Sequence, residues 1–188
     1  TLGVGIFWFL LPAGLFARVP IVIFYGIGIY VLALTTNIYS VSAIRTIALL
    51  TSARTVSFAI TLISYFFLTN VLFSLHIQLV PFLILLFLFS FPLIVHCIWT
   101  YTLEKNLFQN IYWPLILTLV LLESASILWF WPSTPTVLAI FLTGVFYTTV
   151  GLSQVWFEKR LFKSVMWEYI WVSSIVLITL LLFTSWTS

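Results

Sequence analysis

Glu123 is the residue of this sequence with the most distinctive chemistry, because it is a carboxylic acid near the middle of an apolar run of membrane length, 112–131. A charge at the centre of a spanning helix costs about 2.5–3.5 kcal/mol, whereas each Leu, Ile, Val or Phe returns about 0.3–0.6 kcal/mol. The run should therefore insert despite its acid. Lipid favours the neutral carboxyl unless a donor or a cation lies near it, and no Lys or Arg is predicted at that depth.

Two interpretations of Glu123 follow from its position. An acid inside a membrane is by default a candidate functional site, and as a substrate-binding residue Glu123 would have Ser64, Thr143 and Tyr147 as possible neighbours at similar depth. A neutral glutamic acid that donates a hydrogen bond to a neighbouring helix is equally sound physically. A water-filled cavity around Glu123 would favour transport, and a closed contact with Ser64 or Tyr147 would favour a structural role.

The other polar residues do not form a recognisable catalytic or metal-binding set. His96 and Cys97 are adjacent on one predicted helix, so their side chains diverge instead of converging on one ion. His76 is expected in a solvated loop. The chain has no Asp and no paired carboxylates within a span, so we predict no catalytic residues, no metal site and no cofactor, and the sequence argues against an enzyme.

Composition explains which elements must carry these residues. Hydrophobic residues make up 63% of the 188 and charged residues 6%, against roughly 45–50% and 25% in an ordinary soluble domain. A spanning helix takes about 20 apolar residues, so the length allows about seven spans with short loops. The runs are continuously apolar, unlike the alternating strands of a β-barrel. The sequence therefore predicts an all-α, polytopic transmembrane helix bundle that forms a single domain over 1–188.

The predicted spans are uninterrupted apolar runs separated by Pro, Gly or polar residues, and they cover 2–17, 19–35, 55–75, 79–101, 112–131, 136–156 and 167–186. A tight turn at Arg18 separates the first two. The count is six if the first run is incomplete, and because the chain begins with Thr1 we expect residues upstream. The segment 37–52 has apolar residues at helical spacing with polar residues between them, which predicts an amphipathic helix lying in the interface. We expect a bend near 51–54, before the third span.

Basic residues predict the orientation of the chain. One face of the predicted bundle receives Arg18 only, whereas the other receives Arg45, Arg54, Lys105, Lys159, Arg160 and Lys163. By the positive-inside rule the second face is cytoplasmic and the C-terminus lies outside. The net charge of the chain is +3, but its basic residues form no stripe that nucleic acid could follow. The three basic residues between 158 and 163 are fewer than the four to eight typical of a specific lipid site.

The stretch 37–50, NIYSVSAIRTIALL, together with Glu123 and the Trp131-Pro132 turn, resembles an uncharacterised family of bacterial multi-pass integral membrane proteins, a domain of unknown function. The resemblance implies a protein of the cytoplasmic (inner) membrane of a bacterium. It implies no activity, because the family has none that could be carried onto a residue.

Three functions stay open on these grounds. The first is a non-enzymatic accessory or structural membrane subunit whose helices are its interaction surface. The alternative is a small transporter or channel that uses Glu123 in a polar cavity, and the second alternative is a lipid-acting membrane enzyme. The expected partners are the lipid bilayer and either further copies of the chain or another membrane subunit, but no nucleic acid.

Overall fold

The computed structural model describes residues 15–42, 49–102, 111–159 and 162–184. These residues form six helices and no strand. In chain order the helices are α1 Leu15–Ser42, α2 Leu49–Ser74, α3 Leu79–Thr102, α4 Tyr112–Trp129, α5 Pro135–Phe157 and α6 Lys163–Leu182. The prediction of an all-helical chain is therefore confirmed for the described residues.

Five helices of the described chain are long and apolar enough to cross a membrane, and they cover Leu50–Ser74, Leu79–Tyr101, Tyr112–Trp129, Pro135–Phe157 and Lys163–Leu182. Each overlaps one of the last five predicted spans. The second predicted span, 19–35, lies within α1. Most of the first, 2–17, lies outside the described residues, so a total of seven spans stays a prediction.

The turn predicted at Arg18 is wrong, because α1 is helical through Arg18 and Pro20. A proline ring removes one backbone hydrogen bond and bends a helix, but membrane helices commonly accommodate this loss. The boundary between the first two predicted spans is therefore not at this position.

The segment 37–52 does not form a separate interfacial helix where it is described. Residues 37–42 continue α1 and residues 49–52 begin α2, while 43–48 lie outside the described residues. Within α1, the hydroxyls of Thr35 and Thr36 donate to the carbonyl of Leu32 at 2.9 and 2.7 Å, so their polar groups are satisfied where the helix continues beyond the apolar run. α2 runs without interruption through residues 51–54, where a bend was expected.

The chain divides into two compact units, 1–67 and 68–188. The first contains α1 and most of α2. On α2, a line of buried residues recurs every four positions, as expected for one face of a helix, and consists of Ala53, Ser57, Thr61 and Tyr65. The second unit contains the last turns of α2 and all of α3 to α6.

The core of the second unit lies among α3, α4 and α5, which pack against one another, whereas α6 packs against α5. Its buried apolar side chains recur at helical spacing and are Phe82, Leu86, Ile94, Cys97, Ile98, Leu117, Leu121, Ala125, Leu128, Leu138, Ala139, Leu142, Phe146 and Val150. Thr118 is also buried and donates to the Pro114 carbonyl at 2.6 Å, so it brings no unpaired hydroxyl into the core.

Two glycines set the close approach of α6 to α5. A Cβ added at Gly144 would lie 2.7 Å from Cγ1 of Val176, and one added at Gly151 would lie 2.6 Å from Cε1 of Tyr169. Both glycines and both opposing residues are seven positions apart, so one antiparallel register brings each large side chain over a glycine. Small residues allow this close backbone approach between apolar helices.

Candidate functional site

Glu123 lies on the face of α4 that points away from the core of its unit. It is exposed, whereas Leu121, two positions earlier and therefore about 200° around the helix, is fully buried. Exposed apolar residues share its face at alternating spacings of four and three. We call this set the α4 stripe, and it consists of Ile116, Val120, Glu123, Ile127 and Phe130. The fold therefore leaves an acid in the middle of an apolar, outward face.

The predicted neighbours do not donate hydrogen bonds to Glu123. Thr143 donates to the Ala139 carbonyl at 2.7 Å, and the Tyr147 hydroxyl donates to Oε1 of Glu168 at 3.1 Å. Ser64 is half-buried on α2 in the first unit. Across 15–42, 49–102, 111–159 and 162–184, no residue donates a hydrogen bond to the Glu123 carboxyl.

The serines that flank Glu123 in sequence are satisfied by the backbone of their own helix. Ser124 donates to the Val120 carbonyl at 2.8 Å, and Ser126 donates to the backbone carbonyl of Glu123 at 2.7 Å. Hydroxyls that bond back to the preceding turn are common within helices. Their donor capacity is therefore used locally, and the carboxyl of Glu123 gains no partner from them.

A polar cluster that was not predicted from the sequence lies between α5 and α6. Tyr147 donates to Glu168, and its ring centroid lies 5.3 Å from that of Tyr169. The Tyr169 ring in turn covers Gly151. The sequence feature that could have predicted this cluster is an acid near the start of an apolar helix, Glu168, followed directly by Tyr169. Both residues lie within the last predicted span and were not considered separately. The cluster attaches one end of α6 to α5, which is a structural role.

At the other end of the bundle, tryptophans attach the α4–α5 connection to its neighbours. Nε1 of Trp131 donates to Oγ1 of Thr184 at 2.7 Å, and Nε1 of Trp129 donates to the Ile77 carbonyl at 3.2 Å. Nδ2 of Asn70 donates to Oγ1 of Thr136 at 3.1 Å. These bonds join the ends of α2, α4, α5 and α6, so the connections at this end are held together by hydrogen bonds between helices.

A cavity of about 210 Å³, which we call the aromatic cavity, lies within this end, and four of its ten lining residues are Phe or Trp. The lining residues are Leu72, Phe73, His76, Ile77, Phe82, Trp129, Trp131, Ser133, Pro135 and Leu138. His76 is exposed, as expected, and its Nδ1 lies 2.8 Å from the Ser74 carbonyl. The Ser133 hydroxyl donates to the Phe183 carbonyl at 3.3 Å.

A second cavity, of about 250 Å³, is a groove between α5 and α6 lined by Phe141, Gly144, Val145, Thr148, Ser173, Ser174, Val176 and Leu177. Two of its hydroxyls donate to their own helices, Thr148 to the Gly144 carbonyl at 3.1 Å and Ser174 to the Ile170 carbonyl at 2.8 Å. Neither this groove nor the aromatic cavity includes Glu123.

His96 and Cys97 lie side by side on α3, where Cys97 is buried and His96 is half-buried. Within the part of the chain that the structure describes, His, Cys, Asp and Glu side chains form no group of three or more that could hold a metal ion. The described residues therefore offer neither side chain a set of co-ligands.

Over the described residues, fold and site together define an all-helical structure with five helices able to cross a membrane and an outward-facing acid on one of them. The chain belongs to the family described as "Protein of unknown function (DUF5656)", which matches residues 3–183. The expected membership of an uncharacterised family is thereby confirmed over nearly the whole chain. No curated protein and no solved structure matches it.

Proposed function

We propose that this chain is a multi-pass integral membrane protein that serves as a non-enzymatic accessory or structural subunit, and that the α4 stripe is its contact surface for another transmembrane helix. The observation that carries the proposal is the exposed position of Glu123 within an apolar stripe of a helix long enough to cross a membrane.

The energetic argument concerns what would surround Glu123. A charged acid at the centre of a lipid-facing helix costs about 2.5–3.5 kcal/mol, and its neutral form still has a donor and acceptors to satisfy. The described residues supply none of these partners. A second helix laid along the α4 stripe would supply one, and interhelical hydrogen bonds of this kind contribute about 0.6–2 kcal/mol in membranes.

The geometry of the stripe supports the same conclusion. Its alternating spacing of four and three keeps one line of side chains facing a neighbour when two helices cross at about +20°, the angle common in membrane bundles. Ile116 and Ile127 are 50% and 60% exposed and flank the acid on both sides. A partner helix would therefore cover Glu123 with apolar packing above and below it.

Transport would require a polar cavity around the acid. The two cavities described above do not include Glu123. The hydroxyls of Ser133, Thr148 and Ser174, which line these cavities, donate to backbone carbonyls. No observation on the described residues favours a transporter, a channel or a lipid-acting enzyme over a contact surface.

The orientation that we propose rests on charge. Lys159 and Lys163 are exposed at the connection between α5 and α6, and Arg54 lies near the start of α2, an end that alternating helices would bring to the same side. The positive-inside rule makes this the cytoplasmic side of a bacterial inner membrane, with the C-terminus outside.

Site-specific photocrosslinking in native membranes tests the contact surface. A photoreactive residue at Ile116 or Ile127 should form adducts with a transmembrane protein, whereas one at Leu115 should label lipid. Leu115 is a matched control because it is one position from Ile116, on the same helix, with 41% against 50% exposure. Lipid adducts alone at all three positions would show that the α4 stripe is not a contact surface.

A further inference from the structure

We infer that the partner of the α4 stripe is a second copy of this chain, in a parallel, two-fold symmetric dimer in which the two Glu123 carboxyls hydrogen-bond to each other. This inference rests on the proposed function, since it names the occupant of the same surface.

Membrane insertion determines how two copies meet. Copies that insert with one orientation present their α4 helices parallel to each other, and the symmetry axis of a dimer then runs along the membrane normal. Around such an axis, each residue of a shared stripe lies opposite its own counterpart. Glu123 would therefore lie opposite Glu123 of the partner subunit, without any further requirement on register.

Two neutral carboxyls can satisfy each other's hydrogen-bonding groups without any further residue. A neutral carboxyl has one O–H donor and an acceptor oxygen. Two of them face to face can exchange two O–H···O bonds, so each satisfies the other and no proton is gained or lost in the contact. A different partner would have to carry its own polar group at this depth, whereas a second copy carries one by symmetry.

The residues around Glu123 form a heptad seam along which two parallel helices can pack. In heptad terms the spacing of the α4 stripe places Val120 and Ile127 at a positions and Ile116, Glu123 and Phe130 at d positions. A polar residue within an otherwise apolar seam fixes the register of the two helices. Because Val and Ile have few χ1 rotamers to lose, their ordering in the contact costs little side-chain entropy.

The first test measures self-association of the full chain by energy transfer between labelled copies in liposomes of phosphatidylethanolamine and phosphatidylglycerol, over a range of protein-to-lipid ratios. Wild type and Glu123→Gln should dimerise, because an amide pair can also exchange two hydrogen bonds. Glu123→Leu should weaken dimerisation about 8- to 800-fold, the range expected for losing both interhelical hydrogen bonds of the pair. Leu115→Ala, which shortens an exposed side chain of α4 outside the stripe, is the control and should leave dimerisation unchanged.

The second test does not depend on a variant of Glu123. In a Cys97→Ala background, Val120→Cys and Ile127→Cys should form disulfide-linked dimers on oxidation, and Leu115→Cys should not. Dimers linked equally well through Leu115, or a protein that stays monomeric at every protein-to-lipid ratio, would overturn the inference.

The outcomes separate this inference from the proposed function. Photocrosslinks from the α4 stripe to a different membrane protein, with no self-association in liposomes, would keep the contact surface and exclude the second copy. Lipid adducts alone from the stripe would exclude both. Dimers that are unaffected by Glu123→Leu and that do not link through Val120 or Ile127 would place the dimer contact on another face and exclude the Glu123 pair.

Discussion

The contact between α5 and α6 gives the sharpest stability prediction, because Gly144 lies directly under Val176. We predict that Gly144→Ala destabilises the protein. The added Cβ would lie 2.7 and 2.8 Å from the two Val176 methyls and 3.2 Å from its Cβ. All three distances are below the 3.4 Å at which ordinary van der Waals contact begins.

The magnitude follows from what can move. A valine in a helix has one strongly preferred χ1 rotamer, and its Cβ moves only with the backbone, so α6 itself must shift. Inserting a methyl group into a packed contact typically costs about 1–3 kcal/mol. We expect a loss of that size in the free energy of unfolding. Gly151→Ala should cost less, because its closest contacts are with the far end of the Tyr169 ring, which can rotate.

Reversible unfolding of the full chain in mixed micelles measures these effects. Gly26→Ala is the control, because no described atom lies within 4 Å of the Cβ that it would add, and alanine is favoured over glycine in a helix by about 0.5–1 kcal/mol. The double variant Gly144→Ala, Val176→Ala should recover part of the loss. If Gly144→Ala were as stable as Gly26→Ala, the close approach of α6 to α5 would be refuted.

Three further predictions use the same structure. Trp131→Phe removes the hydrogen bond to Thr184, which is only 8% exposed, and should lower the unfolding free energy by about 0.5–1.5 kcal/mol; an equal loss for the exposed Trp171→Phe would contradict this explanation. Lys159 has φ 55° at the end of α5, so Lys159→Gly should raise the unfolding free energy by about 0.5–1 kcal/mol, whereas Glu158→Gly, at a right-handed position, should lower it. A phosphatase fused to the C-terminus should be active outside the cytoplasmic membrane; activity of a cytoplasmic reporter there instead would reverse the proposed orientation.

The position of the last four helices could be predicted closely from the sequence. Pro81 and Pro135 mark the starts of α3 and α5, and uninterrupted apolar runs define their lengths. The prediction was poorer before residue 55, where α1 continues past Thr36 into a polar segment. Its threonines satisfy their hydroxyls on the helix backbone, so a change in composition did not mark a helix end there.

The candidate site was predicted only in part. Glu123 stands out in the sequence because acids are expensive in apolar helices. Its neighbours could not be identified from residue type and depth alone. Tyr147 has a suitable type and depth, but its hydroxyl donates to Glu168. Depth along a helix can be counted from the sequence, whereas direction around it depends on which helix packs against which face.

The sequence by itself determined that the chain is helical and apolar enough to cross a membrane several times, because bilayer thickness and the need to pair every backbone group restrict the possible elements. Only the tertiary structure decided which side of each helix faces inward. Since apolar residues occur all around α4 with no dominant face, its periodicity could not show that Leu121 is buried and Glu123 exposed. Likewise, the role of Gly144 and Gly151 in helix packing can be recognised only from the large residues of α6 that lie over them.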